Sequence, residues 1–226
     1  MNVMILAAGR GERLRPYTDA TPKPLVEVAG RTLLGRHLQR LARAGYARAV
    51  INVSHLAEKI TSRFGDGSDY GLAIDWSRET EPLESAGGIA QARALLGPAP
   101  FLLVNADIWC DYDFARLRAH PLDGRLAHLV LAPNPAQHPA GDFSFDAGRV
   151  GNAPAPRYTY TGIAVLSPQL VSGIAAGQKA ALAPLWRAGA ARGAVSGELY
   201  HGRWCDVGTA QRLALLEAEL QSRLEK

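Results

Sequence analysis

The four apolar residues Val3–Leu6 pass directly into a short loop that contains Gly9, Gly11 and Arg13. A fully apolar run of this length is typical of a strand that is buried on both faces of a sheet. Glycine has no Cβ, so loop amides can approach a ligand closely, and converging amides with Arg13 and the nearby Lys23 suit phosphate. The start of the chain therefore predicts a central strand that ends in an anion site. The alternative is an ordinary turn with solvated arginines.

Two common nucleotide-binding loops do not match this segment. The dinucleotide fingerprint requires a third glycine at the position that Leu14 occupies, and the P-loop requires a Gly-Lys-Ser/Thr triplet that the segment lacks. A lysine between two prolines, Pro22-Lys23-Pro24, follows instead. The pattern favours a phosphate site of a different kind.

Strand-like and helix-like segments alternate along the chain. Apolar residues recur at helical spacing in some segments and alternate or run together in others. This β-α-β order predicts an α/β fold with a Rossmann-like, mostly parallel central sheet and helices on both faces. The predicted strands are residues 3–6, 49–53, 72–76, 101–104, 126–131, 158–166 and 194–200, and the predicted helices are residues 33–41, 56–64, 85–96, 182–191 and 212–224.

The character of the sequence changes after Pro133, where proline and glycine become frequent and the segments become shorter. A small hairpin is predicted within residues 141–150. No linker, repeat or low-complexity tract interrupts the sequence. We therefore expect one domain over residues 1–226, with a nucleotide-binding half at 1–132 and a small, β-rich substrate half at 133–226.

Charge and composition argue against several classes of protein. The net charge is +4 over 226 residues and the basic residues are spread out, which disfavours a nucleic-acid partner and fits an anionic small substrate. No apolar run reaches the ~18 residues of a membrane span, and the N-terminus lacks the features of a signal peptide. Cys110 and Cys205 form neither a disulfide framework nor a metal motif. We expect a cytoplasmic protein without a membrane partner, either a monomer or a small homo-oligomer.

Two aspartates stand at positions suited to metal binding. Asp107 comes just after the run Phe101–Val104, and the carboxyl end of a central strand is where open α/β sheets bind ligands. Asp206 comes just before the predicted last helix. Mg²⁺ typically takes one or two carboxylates plus substrate phosphates, so both aspartates are candidate ligands. The alternatives are a loop-capping role for Asp107 and an N-cap role for Asp206 before Thr209.

These segments together resemble the sugar-1-phosphate nucleotidyltransferase family from end to end. The family pattern L-A-G-G-x-G-T-R-L-x-P-L-T, followed by P-K-P, is matched with Ala8 and Glu12 in place of the usual Gly and Thr. Three further segments, Asp107–Phe114, Gly141–Phe143 and Ser196–Glu198, most resemble the members that use UTP and N-acetylmuramate 1-phosphate. The segments that match the family's motifs are Leu6–Thr18, Pro22–Pro24, Leu83–Gly87, Ala106–Asp107, Tyr160–Ile163 and Trp204–Thr209.

The resemblance implies an enzyme that condenses UTP with a sugar 1-phosphate and releases pyrophosphate, with Mg²⁺ as its cofactor. It also implies a role for each matched residue. The implied catalytic residues are Arg13 and Lys23, the implied metal ligands are Asp107 and Asp206, the implied sugar contacts are Asp142, Gly162 and Glu198, and the implied nucleotide contacts are Leu6, Ala8, Gly9, Gly11, Glu12, Arg13, Lys23, Glu81, Ser85, Gly87 and Asn105.

One departure from the family pattern concerns the sugar. Longer members carry a Glu-Lys-Pro after the hairpin, and the segment 150–158 lacks it, which removes one lysine and leaves room for a lactyl ether. His201 and Arg203 are cationic candidates for the lactyl carboxylate, with solvated loop charges as the alternative. Other readings are a mannose-1-phosphate guanylyltransferase, a glucose-1-phosphate uridylyl- or thymidylyltransferase, and a non-catalytic nucleotide-sugar sensor.

Overall fold

The computed structural model describes residues 1–224, and its strands and helices alternate through the first half of the chain. The strands are β1 Val3–Leu6, β2 Glu27–Val28, β3 Arg31–Thr32, β4 Arg48–Val53, β5 Ala73–Arg78, β6 Phe101–Asn105, β7 Ile108–Cys110, β8 Ala127–Ala132, β9 Phe143–Asp146, β10 Arg149–Gly151, β11 Arg157–Leu166, β12 Val195–Leu199 and β13 Trp204–Asp206. The α-helices are α1 Tyr17–Ala20, α2 Leu33–Arg43, α3 Ala57–Phe64, α4 Glu84–Leu96, α5 Leu182–Ala191 and α6 Ala210–Leu224.

Nine of these strands form one sheet in the order β5-β4-β1-β6-β11-β8-β12-β10-β9. The neighbours β5, β4, β1 and β6 all run parallel. β11 runs antiparallel between β6 and β8, and β12 lies parallel to β8. The α/β fold class is therefore confirmed. Beyond β6 the sheet is mixed. The strands there include antiparallel neighbours and the hairpin β9–β10, together with one parallel pair, β8–β12.

Helices cover both faces of the sheet, as predicted. Successive β1 side chains point to opposite faces, so Val3 and Ile5 belong to the core cluster that contains residues of α2 and α3, whereas Met4 belongs to the cluster that contains residues of α4 and α5. All three side chains are fully buried. Burying one such side chain stabilises the fold by about 1.5–3 kcal/mol. This alternation fixes which way each strand faces, so that the loops after β1 and β6 meet at one edge of the sheet.

Helix α2 carries a buried histidine that holds the backbone beside this edge. His37 is 3% exposed, and its Nε2–H donates to the Ile108 carbonyl at 2.9 Å, which sets the tautomer. Burial lowers the pKa of His37 to about 4, so the ring is neutral at pH 7. Arg40, one turn farther along, donates to two carbonyls of the same segment. Helix α2 therefore fixes the backbone that follows the predicted metal ligand Asp107.

The strands and helices predicted from the sequence are present, with ends that agree within two residues. The short pairs β2–β3 and β7–β13 were not predicted, because segments of two or three residues show no periodicity. No helix within residues 1–224 is both long enough and apolar enough to cross a membrane. The predicted boundary at residue 132 coincides with the end of β8, and the division into two functional halves stays a prediction.

We expect His37 to make the free energy of unfolding fall by about 2 kcal/mol between pH 7 and pH 5. The folded pKa is about 4, whereas an unfolded histidine has a pKa near 6.5. The stabilisation is therefore present above pH 6.5 and is lost as the pH falls toward 4. Chemical denaturation of wild type and His37→Gln, whose amide can still donate to the Ile108 carbonyl, measures the difference.

Two features control this comparison. Burial also lowers the pKa of His128 to about 4, and this contribution is equal in both proteins and cancels. His55→Gln, at an exposed position, should keep the wild-type pH dependence. A His37→Gln variant with the full wild-type pH dependence would contradict the account.

Candidate active site

Three adjoining cavities meet at Asp107, beside the carboxyl ends of β1 and β6. The strand-end cavity, of about 250 Å³, lies at the ends of β1 and β6. The loop cavity, of about 630 Å³, lies at the loop after β1, and the C-terminal cavity, of about 260 Å³, is lined by Asp206 and Arg212. Asp107 lines all three, Lys23 lines the first two, and Arg13 lines the last two. The cavities therefore form one cleft at the place where open α/β sheets bind ligands.

The strand-end cavity brings together residues that are far apart in the sequence. Leu6, Ala8 and Gly9 come from the end of β1 and its loop, Asn105 from the end of β6, and Ser85 from the start of α4. β1 and β6 are parallel neighbours with Leu6 opposite Asn105, which puts the two strand ends side by side. With Lys23, six of the predicted nucleotide contacts therefore surround one cavity.

The loop cavity is lined by the predicted phosphate loop. Gly11 has φ +67°, and its carbonyl accepts from the Thr18 hydroxyl at 2.8 Å. A Cβ on Gly11 would lie 2.8 Å from Thr18 Cγ2, so this turn requires glycine for both its φ and its packing. Four Lys or Arg side chains and four carboxylates line the cavity, and such a mixture suits phosphates bound together with a metal cation. The predicted nucleotide contacts that line it are Gly9, Gly11, Glu12, Arg13, Lys23 and Glu81.

Lys23 and Asp107 form the ion pair at the centre of the cleft. Lys23 Nζ donates to Asp107 Oδ2 at 2.6 Å, and the Lys23 side chain is 10% exposed. Lys23 begins the 3-10 turn Lys23–Leu25 between two prolines, which stiffen its backbone. One cation and one carboxylate are thus held where the three cavities meet.

Asp206 reaches Asp107 through the pairing of β7 with β13. It lies opposite Ile108 in this pair, and the Val207 amide donates to the Asp107 carbonyl at 3.0 Å. Asp206 Oδ2 accepts from Arg212 Nη1 at 2.8 Å. Asp206 Oδ1 is buried and has no hydrogen-bond partner among residues 1–224. The two predicted metal ligands are therefore neighbours, and one oxygen of Asp206 is left for a further partner.

The surroundings of these two carboxylates fit a hard cation. Asp107 and Asp206 both line the C-terminal cavity, and a divalent cation would satisfy the buried Oδ1 of Asp206. Within residues 1–224 no group of three or more His, Cys, Asp or Glu side chains could hold a metal, so further ligands would come from substrate and water. The N-cap alternative for Asp206 is wrong, because Thr209 Oγ1 accepts from the Arg212 amide at 3.3 Å instead.

The C-terminal cavity contains two of the three predicted sugar contacts. Asp142 Oδ2 accepts from the Tyr160 amide at 2.8 Å, and its Oδ1 lies 3.0 Å from His138 Nε2. Gly162 has φ +86°, and a Cβ there would lie 3.0 Å from the Asn105 side chain. Asp142 and Gly162 therefore lie in one cavity with both candidate metal ligands.

Glu198 and Gly87 are not among the described residues that line the three cavities. The Glu198 carboxylate accepts from the Tyr112 hydroxyl at 2.6 Å and from Arg116 at 3.1 Å. Gly87 lies where α4 packs against a loop, and a Cβ there would be 2.3 Å from the Gln178 carbonyl oxygen. The structure gives Glu198 an ion pair and Gly87 a packing role, and their contacts with a ligand stay predictions.

His201 and Arg203 also lie outside the described walls of the cleft. The Arg203 guanidinium pairs with Glu219 and lies 5.8 Å from the Trp109 ring. Burial, with the neighbouring Asp206, raises the pKa of the Cys205 thiol, which stays protonated at neutral pH. Sequence reasoning missed His138 and Arg212, which line the C-terminal cavity, since they belong to no family motif. The arginine side chains that line this cavity are Arg13 and Arg212.

The chain is similar to known proteins along almost its whole length. A family model described as nucleotidyl transferase matches residues 2–143. The N-acetylmuramate alpha-1-phosphate uridylyltransferase of Neisseria meningitidis serogroup B is 47% identical over 225 residues, which cover 96% of this chain and 97% of the relative. The Caulobacter vibrioides protein of the same name is 33% identical over 96% of both chains. The crystal structure of HddC from Yersinia pseudotuberculosis complexed with GMP-PN has a TM-score of 0.77 at 21% identity, over 97% of this chain and 99% of that chain.

We expect Gly11→Ala to lower the free energy of unfolding by about 1–2 kcal/mol, because alanine is strained at positive φ and its methyl meets Thr18. Gly9→Ala is the matched control. Among residues 1–224 no heavy atom beyond its chain neighbours lies within 4 Å of a Cβ at Gly9, so its cost should stay within about 0.5 kcal/mol. Chemical denaturation measures both variants, and equal losses would contradict the described loop geometry.

Proposed function

The chain belongs to the nucleotidyl transferase family, and we propose that it transfers the uridylyl group of UTP to N-acetylmuramate α-1-phosphate and releases pyrophosphate. The observation that carries the proposal is the meeting of Lys23, Asp107 and Asp206 beside a glycine-rich anion loop. The choice of uracil and muramate is supported by full-length similarity to two uridylyltransferases of that name.

In this proposal residues 1–132 form the nucleotide-binding half, and the uridine occupies the strand-end cavity. Apolar Leu6 and Ala8 beside the Ser85 hydroxyl and the Asn105 amide suit a flat ring with polar edges and its ribose. Glu81 lines the adjoining loop cavity and is a further candidate contact for the nucleotide.

The triphosphate would extend into the loop cavity. There the Gly9 and Gly11 amides and the Arg13 guanidinium would hold the β- and γ-phosphates. An oxygen of the sugar phosphate attacks the α-phosphorus in line, and the bond to pyrophosphate breaks as the new P–O bond forms. Lys23 would neutralise the charge that builds on the α-phosphate oxygens. Positioning and charge stabilisation then supply the catalysis without a covalent enzyme intermediate.

Asp107 and Asp206 would hold Mg²⁺, which when bound supplies charge neutralisation and orientation of the phosphates. Asp107 is paired with Lys23, and Asp206 is paired with Arg212. If these carboxylates held a metal, Lys23 and Arg212 would be free to pair with incoming phosphates. The unpartnered Oδ1 of Asp206 supports this assignment, because it is buried and accepts no hydrogen bond from the described residues.

Residues 133–226 would form the sugar-binding half. Asp142 and Gly162 lie in the C-terminal cavity, and Glu198 is a more distant candidate contact. Arg212 adds positive charge to this cavity and His138 adds a polar ring, which suits a sugar that carries a lactyl carboxylate as well as a phosphate. An enzyme with this substrate would act in the cytoplasm, in recycling of peptidoglycan sugars.

Asp107→Asn and Asp206→Asn should each lower kcat by about 10²–10³, because an amide holds a divalent cation less tightly than a carboxylate does and charge stabilisation is lost. Pyrophosphate release over a range of Mg²⁺ concentrations measures the effect. Asp146→Asn, the same change at an exposed position on β9, is the control and should match wild type. Near-normal turnover by either test variant at millimolar Mg²⁺ would remove that aspartate from the metal site.

Pyrophosphate release with a panel of substrates tests the proposed function. UTP, GTP and dTTP are each combined with N-acetylmuramate, N-acetylglucosamine, glucose and mannose 1-phosphates. We expect the highest kcat/KM for UTP with the muramate substrate, since a site that binds a substrate group rejects analogues that lack it. N-acetylglucosamine 1-phosphate differs only by the lactyl ether, so its equal or better turnover would overturn the muramate assignment. Nucleotide binding without turnover of any pair would indicate a sensor.

A further inference from the structure

A buried asparagine lies directly beneath the anion loop. Asn52 is 3% exposed and stands near the end of strand β4, among the apolar residues that follow Arg48. Its Oδ1 accepts from the Ala7 amide at 2.8 Å, and its Nδ2 donates to Glu79 Oε1 at 2.7 Å. The Ala7 amide can only donate, so the orientation of the Asn52 side chain is fixed. Ala7 is the first residue after β1, so Asn52 holds the start of the loop.

The chain of hydrogen bonds continues through a buried carboxylate. Glu79 is 7% exposed, and its second oxygen, Oε2, accepts from the Leu83 amide at 2.9 Å. Leu83 immediately precedes α4, whose Glu84 and Ser85 line the strand-end cavity. The loop after β1 and the start of α4 are therefore joined through two side chains, although they are far apart in the sequence.

Helix α4 is shaped to accommodate this pair. A Cβ on Gly88 would lie 2.6 Å from Asn52 Nδ2 and 2.7 Å from Glu79 Oε1. A buried carboxylate is costly, and a fully satisfied buried polar network is rigid. Apolar side chains would fill this space at lower cost, so the reason for the network lies in the two backbone segments that it joins.

We infer that Asn52 and Glu79 are positioning residues that set the anion loop and the start of α4 at the spacing that binds the nucleotide. The inference rests on the proposed function, because the two elements are the two walls between which the nucleotide would lie. Asn52 also lines the strand-end cavity, whereas Glu79 is not among the described residues that line the cleft. Both side chains act through the Ala7 and Leu83 amides.

Exchanging the amide of Asn52 and the carboxylate of Glu79 between the two positions tests the inference, because it keeps the donor and acceptor pattern only when both are exchanged. Asn52→Asp places a carboxylate oxygen against Glu79, and Glu79→Gln leaves two donors facing each other in either orientation of the new amide. The double variant Asn52→Asp/Glu79→Gln restores every bond. The new aspartate accepts from the Ala7 amide and from the new glutamine, which accepts from the Leu83 amide.

The measurements are the Kd of UTP with Mg²⁺ by calorimetry and the Tm of each protein. Each single variant should raise the Kd by about tenfold or more, and the double variant should return it to within about threefold of wild type. Glu58→Gln, at an exposed ion pair with Arg78, makes the same chemical change elsewhere and should leave the Kd unchanged.

Single variants that lose stability but bind UTP normally would overturn the inference and leave a purely structural network. If the single variants do not fold, the double variant decides, and a double variant that unfolds or binds UTP weakly overturns the inference. Wild type that binds no UTP would contradict the proposed function itself, and the inference would fall with it.

Discussion

The hydrogen bond from the Val207 amide to the Asp107 carbonyl, at 3.0 Å, closes the cleft. It continues the short pairing of β7 with β13, and the Trp204 indole adds a bond to the Thr161 carbonyl at 2.6 Å. Because β7 and β13 are far apart in the sequence, bringing them together costs chain entropy, and these contacts offset that cost. Helix α2 supports the same place from the other side, because His37 holds the β7 backbone. Both aspartates, and the cavities around them, depend on this junction.

The charges of the cleft are arranged in pairs. Lys23 lies on Asp107 and Arg212 lies on Asp206, each pair being mostly sheltered from solvent. Such pairs add little net stability, because the loss of solvation offsets much of the attraction. In the proposed function the two carboxylates would turn to a metal cation, and the two cations would turn to phosphates. In the proposed reaction this supplies positive charge where phosphate charge arrives.

The elements that could be predicted from the sequence are those whose burial imposes a repeat. β1 and α2 are examples, since buried faces require apolar residues at fixed spacing. The pair β7–β13 could not be predicted, because three residues show no period and their partners are distant in sequence. Spacing therefore identified Asp107 and Asp206 as candidates but could not show that they meet.

The residues of the candidate site also divide into those that the sequence predicts and those that only the fold identifies. Gly11 and Lys23 belong to a motif that is visible in the sequence, whereas His138 and Arg212 reach the cleft only through the fold. Asn52 is different, because a polar residue inside an apolar strand is a signal that the sequence carries by itself. A buried polar side chain needs a partner, but only the structure identifies that partner as Glu79.

In the proposed function, Asp107 and Asp206 would share one metal cation beside the bound nucleotide. Crystals grown with UTP and Mn²⁺ test it directly, because Mn²⁺ scatters anomalously and can be located independently of the protein. The account predicts one anomalous peak in contact with a carboxylate oxygen of each aspartate and with a phosphate oxygen of UTP. A peak that touches neither aspartate, or a nucleotide bound away from the loop after β1, would contradict it.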